Sequence, residues 1–341
     1  MARLVSRFRR SQALAAPLMQ GVPGANMPHI LFIKTSSLGD VIHHMPAVTE
    51  ARRRQAGAHF GWVVEEAFAP LVRLHPAVDE VVPVALRRWR SAVLAPRTWR
   101  EIAGFIDGLR KRDYDAIIDS QGLFFKSALI ARFARGPRHG YDALSIREHA
   151  ASLLYDVHHG IAPGLHAIAR NRMLTGLALG YAPQGAVEFG LDRGRLANLG
   201  GSYGILLHAT ARREKEWPLA SWIALAQALS ADRGALLLPW GTPAERLRSE
   251  QIAAVITGAV VPQHQPLELL VRVIAGASFV IGVDTGLLHL AAALGVPLVG
   301  IFSGSDPVLT GPQGTGPIAV VGGKGHMPSV AEVVRALDGL S

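Results

Sequence analysis

Ile30-Leu31-Phe32-Ile33-Lys34-Thr35-Ser36-Ser37-Leu38-Gly39-Asp40 is the stretch that decides the fold. Four apolar residues run into small and polar ones, and a helical pattern opens near residue 40. That order reads as a strand, a turn and a helix. In open α/β sheets such turns lie at the carboxyl edge of the strands, where ligands bind. Gly39 and the two serines let a ligand approach the backbone closely. Asp40 sets a carboxylate at the helix start with Lys34 nearby. On these residues alone, Asp40 is equally a helix cap or a general base.

The same alternation recurs along the chain. Apolar runs at 29–34, 59–64, 80–84, 116–120, 203–210, 235–240, 279–284 and 297–302 predict strands. Helical patterns lie near 40–55, 97–112, 122–135, 166–179, 220–232, 243–256, 267–276 and 286–294. This order predicts an α/β fold of parallel sheets covered by helices. Pro183, Gly185, Gly190, Gly194, Gly200 and Gly201 interrupt it. We therefore expect a basic extension at 1–27, a doubly wound domain at 28–182, a linker at 183–202 and a second doubly wound domain at 203–341. A cleft is expected between the domains. Ser329-Val330-Ala331-Glu332 fits a capping box that opens a terminal helix. No internal sequence repeat is visible.

Among the 341 residues 49% are hydrophobic, enough for two cores, and there is no cysteine. That composition excludes disulfides, thiolate nucleophiles and cysteine metal sites. The net charge of +9 is clustered. Arg3, Arg7, Arg9 and Arg10 lie in the extension, Arg52-Arg53-Arg54 follow, and Arg87, Arg88, Arg90, Arg97 and Arg100 have no acid between them. Such clusters are solvated faces or sites for an acidic partner. Trp89 and Trp99 in the third cluster suit a membrane interface or a stacking contact. No apolar stretch reaches the roughly 20 residues of a spanning helix. Residues 1–27 do not read as a signal peptide, because their apolar run is short and contains Pro17. Met27 is an alternative start.

Neither G-x-G-x-x-G nor G-x-x-x-x-G-K-[ST] is present. Val283-Asp284-Thr285-Gly286-Leu287-Leu288-His289 repeats the strand-turn-helix order. A helix start of this kind suits a pyrophosphate, although Asp284 or Thr285 is also a good cap. His208-Ala209-Thr210 leads to Lys215 and Trp217-Pro218, which offers a hydroxyl and a cation to a phosphate. Thr242, Pro243 and Glu245 make a capping box, with ribose binding as the alternative for Glu245. His43-His44 and His158-His159 are poor paired metal ligands, since helical neighbours face apart. Asp113-Tyr114-Asp115 reads as a loop rather than a metal site.

Together these blocks resemble the heptosyltransferases of lipopolysaccharide core synthesis, a GT-B glycosyltransferase family. The resemblance runs from about residue 28 to the C-terminus. It rests on Lys34 to Val41, Trp62 to Glu66, Val82 to Arg90, Tyr114 to Ala116, Gln121 to Leu123, His208 to Thr210, Lys215 to Pro218 and Val283 to Leu287. Glu65-Glu66 and Arg87-Arg88-Trp89-Arg90 favour members that add the first heptose over those that add the second.

The resemblance implies two Rossmann-like domains and an inverting, metal-independent transfer from ADP-L-glycero-β-D-manno-heptose to Kdo2-lipid A. No cofactor and no nucleic acid are expected. The implied location is peripheral, on the anionic cytoplasmic face of the inner membrane. Asp40 is the implied base, and Lys215 the implied catalytic cation. Thr210, Lys215, Glu245, Asp284, Thr285, Gly286 and His289 match donor positions. Lys34, Ser36, Ser37, Arg87, Arg88, Arg90 and Arg147 are the expected acceptor contacts, with Lys126 as a further candidate. Ala211, Gln265 and Ser91 depart from the family pattern. The competing readings are transfer to the first heptose, a hydrolysing nucleotide-sugar epimerase and a non-catalytic binding module.

Overall fold

The computed structural model describes residues 27–197, 202–210, 212–230 and 233–340. The basic extension at 1–26, part of the expected linker, Ala211 and the end of the helix expected at 220–232 lie outside the described residues.

Two six-stranded sheets form, and every strand pair in them is parallel. The first holds β1 (His29–Ile33), β2 (His59–Glu65), β3 (Glu80–Val84), β4 (Ala116–Asp119), β5 (Arg138–Tyr141) and β6 (Val157–His159). The second holds β7 (Tyr203–Leu207), β8 (Ala235–Leu237), β9 (Ala259–Val260), β10 (Phe279–Val283), β11 (Leu298–Phe302) and β12 (Ile318–Gly322). The orders are β3-β2-β1-β4-β5-β6 and β12-β11-β10-β7-β8-β9. Counted within its own sheet, the second has the same order as the first. A structural repetition thus exists where the sequence shows none. In this topology the strand order reverses between β1 and β4, and again between β7 and β10. Those are the switch points at which open sheets bind ligands.

The helices that matter here are α1 (Leu38–Arg54), α2 (Leu86–Ser91), α3 (Pro96–Leu109), α4 (Ala167–Leu179), α5 (Leu219–Ser230), α6 (Pro243–Ala253), α7 (Leu267–Gly276), α8 (Gly286–Ala293) and α9 (Val330–Asp338). Local chemistry sets several of their ends. At α9, Ser329 N and Oγ donate to Glu332 Oε2 at 2.8 and 2.7 Å. At α6, Glu245 N donates to Thr242 Oγ1 at 3.3 Å. α4 stops at Gly180, whose φ of 78° is costly for a residue with a Cβ.

Alternation along β1 sends Ile30 and Phe32 into one apolar cluster and Leu31 and Ile33 into another, as period-two geometry requires. The cluster of Ile30 and Phe32 continues to Ile205, Val280 and Leu288 of the second sheet. An apolar seam therefore joins the domains, with α1 packed on both α4 and α8.

Four strands escaped the sequence reading: β5, β6, β9 and β12. They lie towards the sheet edges, and most are too short to show a period. The helix expected at 122–135 is instead a wide turn, Phe124–Ala128, followed by a short helix, Leu129–Phe133. Between 183 and 197 the chain is pinned to both domains. Arg53 pairs with Glu188, and the Arg193 guanidinium donates to the carbonyls of Ala275, Ala277 and Gly295.

Candidate active site

The turn after β1 is held from below. Lys34 is buried, and its Nζ donates to Ser120 O at 2.8 Å. Burial lowers the Lys34 pKa, opposed by the nearby charges of Asp40 and Asp119. Ser36 N donates to Gln121 Oε1 at 3.3 Å. Ser37 N and Oγ both donate to Asp40 Oδ2, at 2.7 and 2.8 Å. The turn after β4 is organised by Asp119, which accepts from Gln121 N, Gly122 N and Tyr155 OH. Burial raises the Asp119 pKa against those bonds.

The two turns bound a cavity of about 200 Å³ that Lys34, Asp40, Gln121, Arg147, Arg170 and Asn171 help to line. Both Asp40 bonds fall on Oδ2, so Oδ1 meets no donor among the described residues. Arg170 and Asn171 were missed by the sequence reading. They lie on α4, which brings them across from Asp40, and their spacing carries no motif.

A second cavity, of about 430 Å³, lies between the domains. Thr210, Lys215, Asp284, Thr285, Gly286 and His289 line one side, and Ser37, Leu38, Gly39 and Arg87 the other. Arg212, also missed from sequence, joins them. Asp284 is the hub. It accepts from Lys215 Nζ at 2.5 Å and Ser305 Oγ at 2.5 Å, and His289 Nε2 lies 3.4 Å from its Oδ1. Burial alone raises the Asp284 pKa. The bonds from His289, Lys215 and Ser305 outweigh burial and hold the carboxyl well below its usual range. Thr210 Oγ1 donates to Asp284 O at 3.2 Å. α8 begins at Gly286, and the first N–H groups of a helix have no partner within it. Three cations, Arg87, Arg212 and Lys215, face one carboxylate here. The cavity therefore favours an anion.

Several expected residues are placed otherwise. Glu245 lines neither cavity, and its carboxylate accepts from Gly241 N at 2.7 Å. Arg88, expected on the acceptor, pairs with Glu66 at 3.1 Å and Glu101 at 2.5 Å, and Arg97 shares Glu101. The basic cluster is therefore partly neutralised, because the fold brings Glu66 over it. Arg87, also expected on the acceptor, lines the larger cavity, with its guanidinium 5.1 Å from the Phe68 ring centre. Arg90 and Lys126 line neither cavity. His43 and His44 face apart: His43 meets His289, and His44 meets Ser120 Oγ. Asp115 Oδ2 accepts from His29 N at 2.7 Å, as a loop residue. Among the described residues no group of three or more His, Asp or Glu is placed to hold a metal ion.

Known proteins are similar to this chain in sequence and fold. The family model for glycosyltransferase family 9 (heptosyltransferase) matches residues 102–337. Lipopolysaccharide heptosyltransferase 1 of Pseudomonas aeruginosa is 44% identical over 292 residues, which span 84% of this chain and 81% of that protein. The structure of the E. coli heptosyltransferase WaaC with ADP has a TM-score of 0.85 at 39% identity, covering 92% of this chain and 100% of that one. WaaC with ADP-2-deoxy-2-fluoro heptose gives 0.83 at 38% identity, with coverage of 92% and 100%. The chain belongs to glycosyltransferase family 9, the heptosyltransferases.

Proposed function

We propose that this protein moves L-glycero-D-manno-heptose from ADP-L-glycero-β-D-manno-heptose to the Kdo of Kdo2-lipid A, with inversion, in the assembly of the lipopolysaccharide inner core. One observation carries the reading: the tract from Lys34 to Asp40 is the common wall of both cavities. Ser37, Leu38 and Gly39 face the larger, and Lys34 and Asp40 the smaller. A sugar held in the larger cavity thus lies beside a carboxylate that faces the smaller.

The roles follow from residue chemistry. Asp40 takes the proton of the attacking Kdo hydroxyl, a contribution of roughly 10²–10⁴-fold in rate. The donor's anomeric carbon passes through an oxocarbenium-like transition state, as in glycoside hydrolysis. Lys215, Arg87, Arg212 and the start of α8 stabilise the departing diphosphate without a metal ion. Arg147 and Arg170 offer charge to the Kdo carboxylates.

A cavity of about 200 Å³ admits a sugar and leaves the acyl chains outside. The turn between α2 and α3 supports a seat on an anionic bilayer at the cytoplasmic face of the inner membrane. Leu94 is 94% exposed and Trp99 58%, between Arg90, Arg97 and Arg100. Trp99 Nε1 donates to Val93 O at 2.9 Å, which ties the apolar tip to the helix start. Exposed apolar groups flanked in sequence by arginines suit an anionic interface. Among the described residues no helix is long and apolar enough to cross a membrane.

The test is ADP release from ADP-heptose with and without Kdo2-lipid A, with the product's anomeric configuration read by NMR. Release that requires the acceptor, with an inverted product, is expected. Release without acceptor, or none with both substrates, refutes the reading.

A further inference from the structure

α1 and α8 cross at two glycines. An ideal Cβ on Gly286 would stand 2.8 Å from Leu38 Cβ, and one on Gly39 would stand 3.1 Å from His289 Cδ2. Just beyond the crossing, His43 Nε2 lies 3.3 Å from His289 Nδ1. His43 follows Asp40 by about one helical turn on α1. It is 4% exposed and lines neither cavity.

Ionised Asp284 only accepts, so His289 carries its proton on Nε2. His43 Nε2 and His289 Nδ1 share one hydrogen bond, in which one ring nitrogen donates and the other accepts. Burial and the neighbouring His289, His166 and Lys34 keep His43 uncharged. His166, whose ring centre is 5.5 Å from that of His43, is fixed in the same way. Its Nδ1 accepts from Ile168 N at 3.2 Å, and its Nε2 donates to Gly311 O at 3.0 Å. Asn171 Nδ2 donates to His43 O at 3.0 Å. A chain of polar contacts therefore runs from the helix that bears Asp40 to the turn that bears Asp284.

We propose that His43 is a positioning residue for transfer: the hydrogen bond between its Nε2 and His289 Nδ1 sets the register between the Asp40 helix and the donor-side turn. This role rests on the reading of the two cavities as acceptor and donor sites. His43 touches neither substrate. Each half-site is complete without it, and only their mutual alignment depends on it. Misplacing reacting groups by about 1 Å costs up to roughly 10²-fold in rate.

The test is steady-state kinetics on the full chain with His43→Leu, His43→Gln and His43→Asn. A glutamine amide nitrogen reaches the position of Nε2, whereas an asparagine amide reaches that of Nδ1. We expect His43→Leu to lower kcat by roughly 10–10²-fold with little change in either KM. His43→Gln should recover most of the loss and His43→Asn little. In a His289→Ala background, His43→Leu should add almost nothing, since groups that act through one another are not additive. Equal behaviour of Gln and Asn, full additivity with His289→Ala, or a change confined to KM overturns the role. Where His43→Leu fails to fold, the Gln and Asn comparison decides. An unmodified protein without turnover overturns the functional reading and this role with it, whereas turnover with additive variants overturns this role alone.

Discussion

Ser37 donates both its N–H and its Oγ–H to the same oxygen of Asp40, Oδ2, at 2.7 and 2.8 Å. Cap and base are therefore compatible uses of one carboxylate: one oxygen closes the helix start, and the other is left for an acceptor hydroxyl.

Asp40→Asn separates the two uses. Asparagine still accepts from Ser37 but takes no proton. Transfer should fall by roughly 10²–10⁴-fold, while melting temperature and ADP affinity stay close to those of the unmodified chain. Calorimetry and ADP-release assays on the same preparation decide it, and full transfer by Asp40→Asn would sink the base assignment.

Gly286→Ala tests the helix crossing. Its Cβ would meet Leu38 Cβ at 2.8 Å, so one helix must shift. Overpacking of this kind costs about 1–3 kcal/mol. Both the melting temperature and the transfer rate should drop. A chain that keeps both would show that the two turns need not approach this closely.

Asp284→Asn removes a carboxylate whose folded pKa is depressed. Such a group contributes stability that is present above its unfolded pKa, about 3.9, and is lost as pH falls towards the folded value. The stability gap between the unmodified chain and Asp284→Asn should thus be full near neutrality and close below about pH 4. Urea melts at several pH values measure it. A gap that widens in acid would contradict the pairing with Lys215, Ser305 and His289.

Charge on the leaving diphosphate is assigned to Lys215, Arg87, Arg212 and the start of α8. Transfer should therefore survive an excess of chelator, whereas Lys215→Met should lose most of its rate. A strict divalent-metal requirement in the ADP-release assay would refute this assignment.

The two turns were legible because each carries its own signature within a few residues: an apolar run, small polar residues, then a helix start. Their strands, β1 and β10, are central and wholly or almost wholly buried, which makes the apolar run unmistakable. β6 and β9 were not legible, because three and two residues cannot display a period. The basic cluster misled for a different reason. No acid lies between Arg87 and Arg100, yet Glu66 reaches Arg88 from 22 residues away. Glu245 carried two readings from sequence, and its carboxylate is placed as a cap on Gly241 N.

By itself the sequence determined the class of fold and the two strand-end turns, since periodicity, caps and turn residues are local properties, and its motif blocks resemble those of the family to which the chain belongs. Only the tertiary structure decided that the Lys34 to Asp40 tract forms the wall between two cavities. The same holds for the placement of Arg170 and Asn171 opposite Asp40, and for the contact of His43 with His289. These relations depend on how α1, α4 and α8 pack over two sheets of identical topology. The pairs involved are up to 246 residues apart in the chain, and no short-range pattern encodes them.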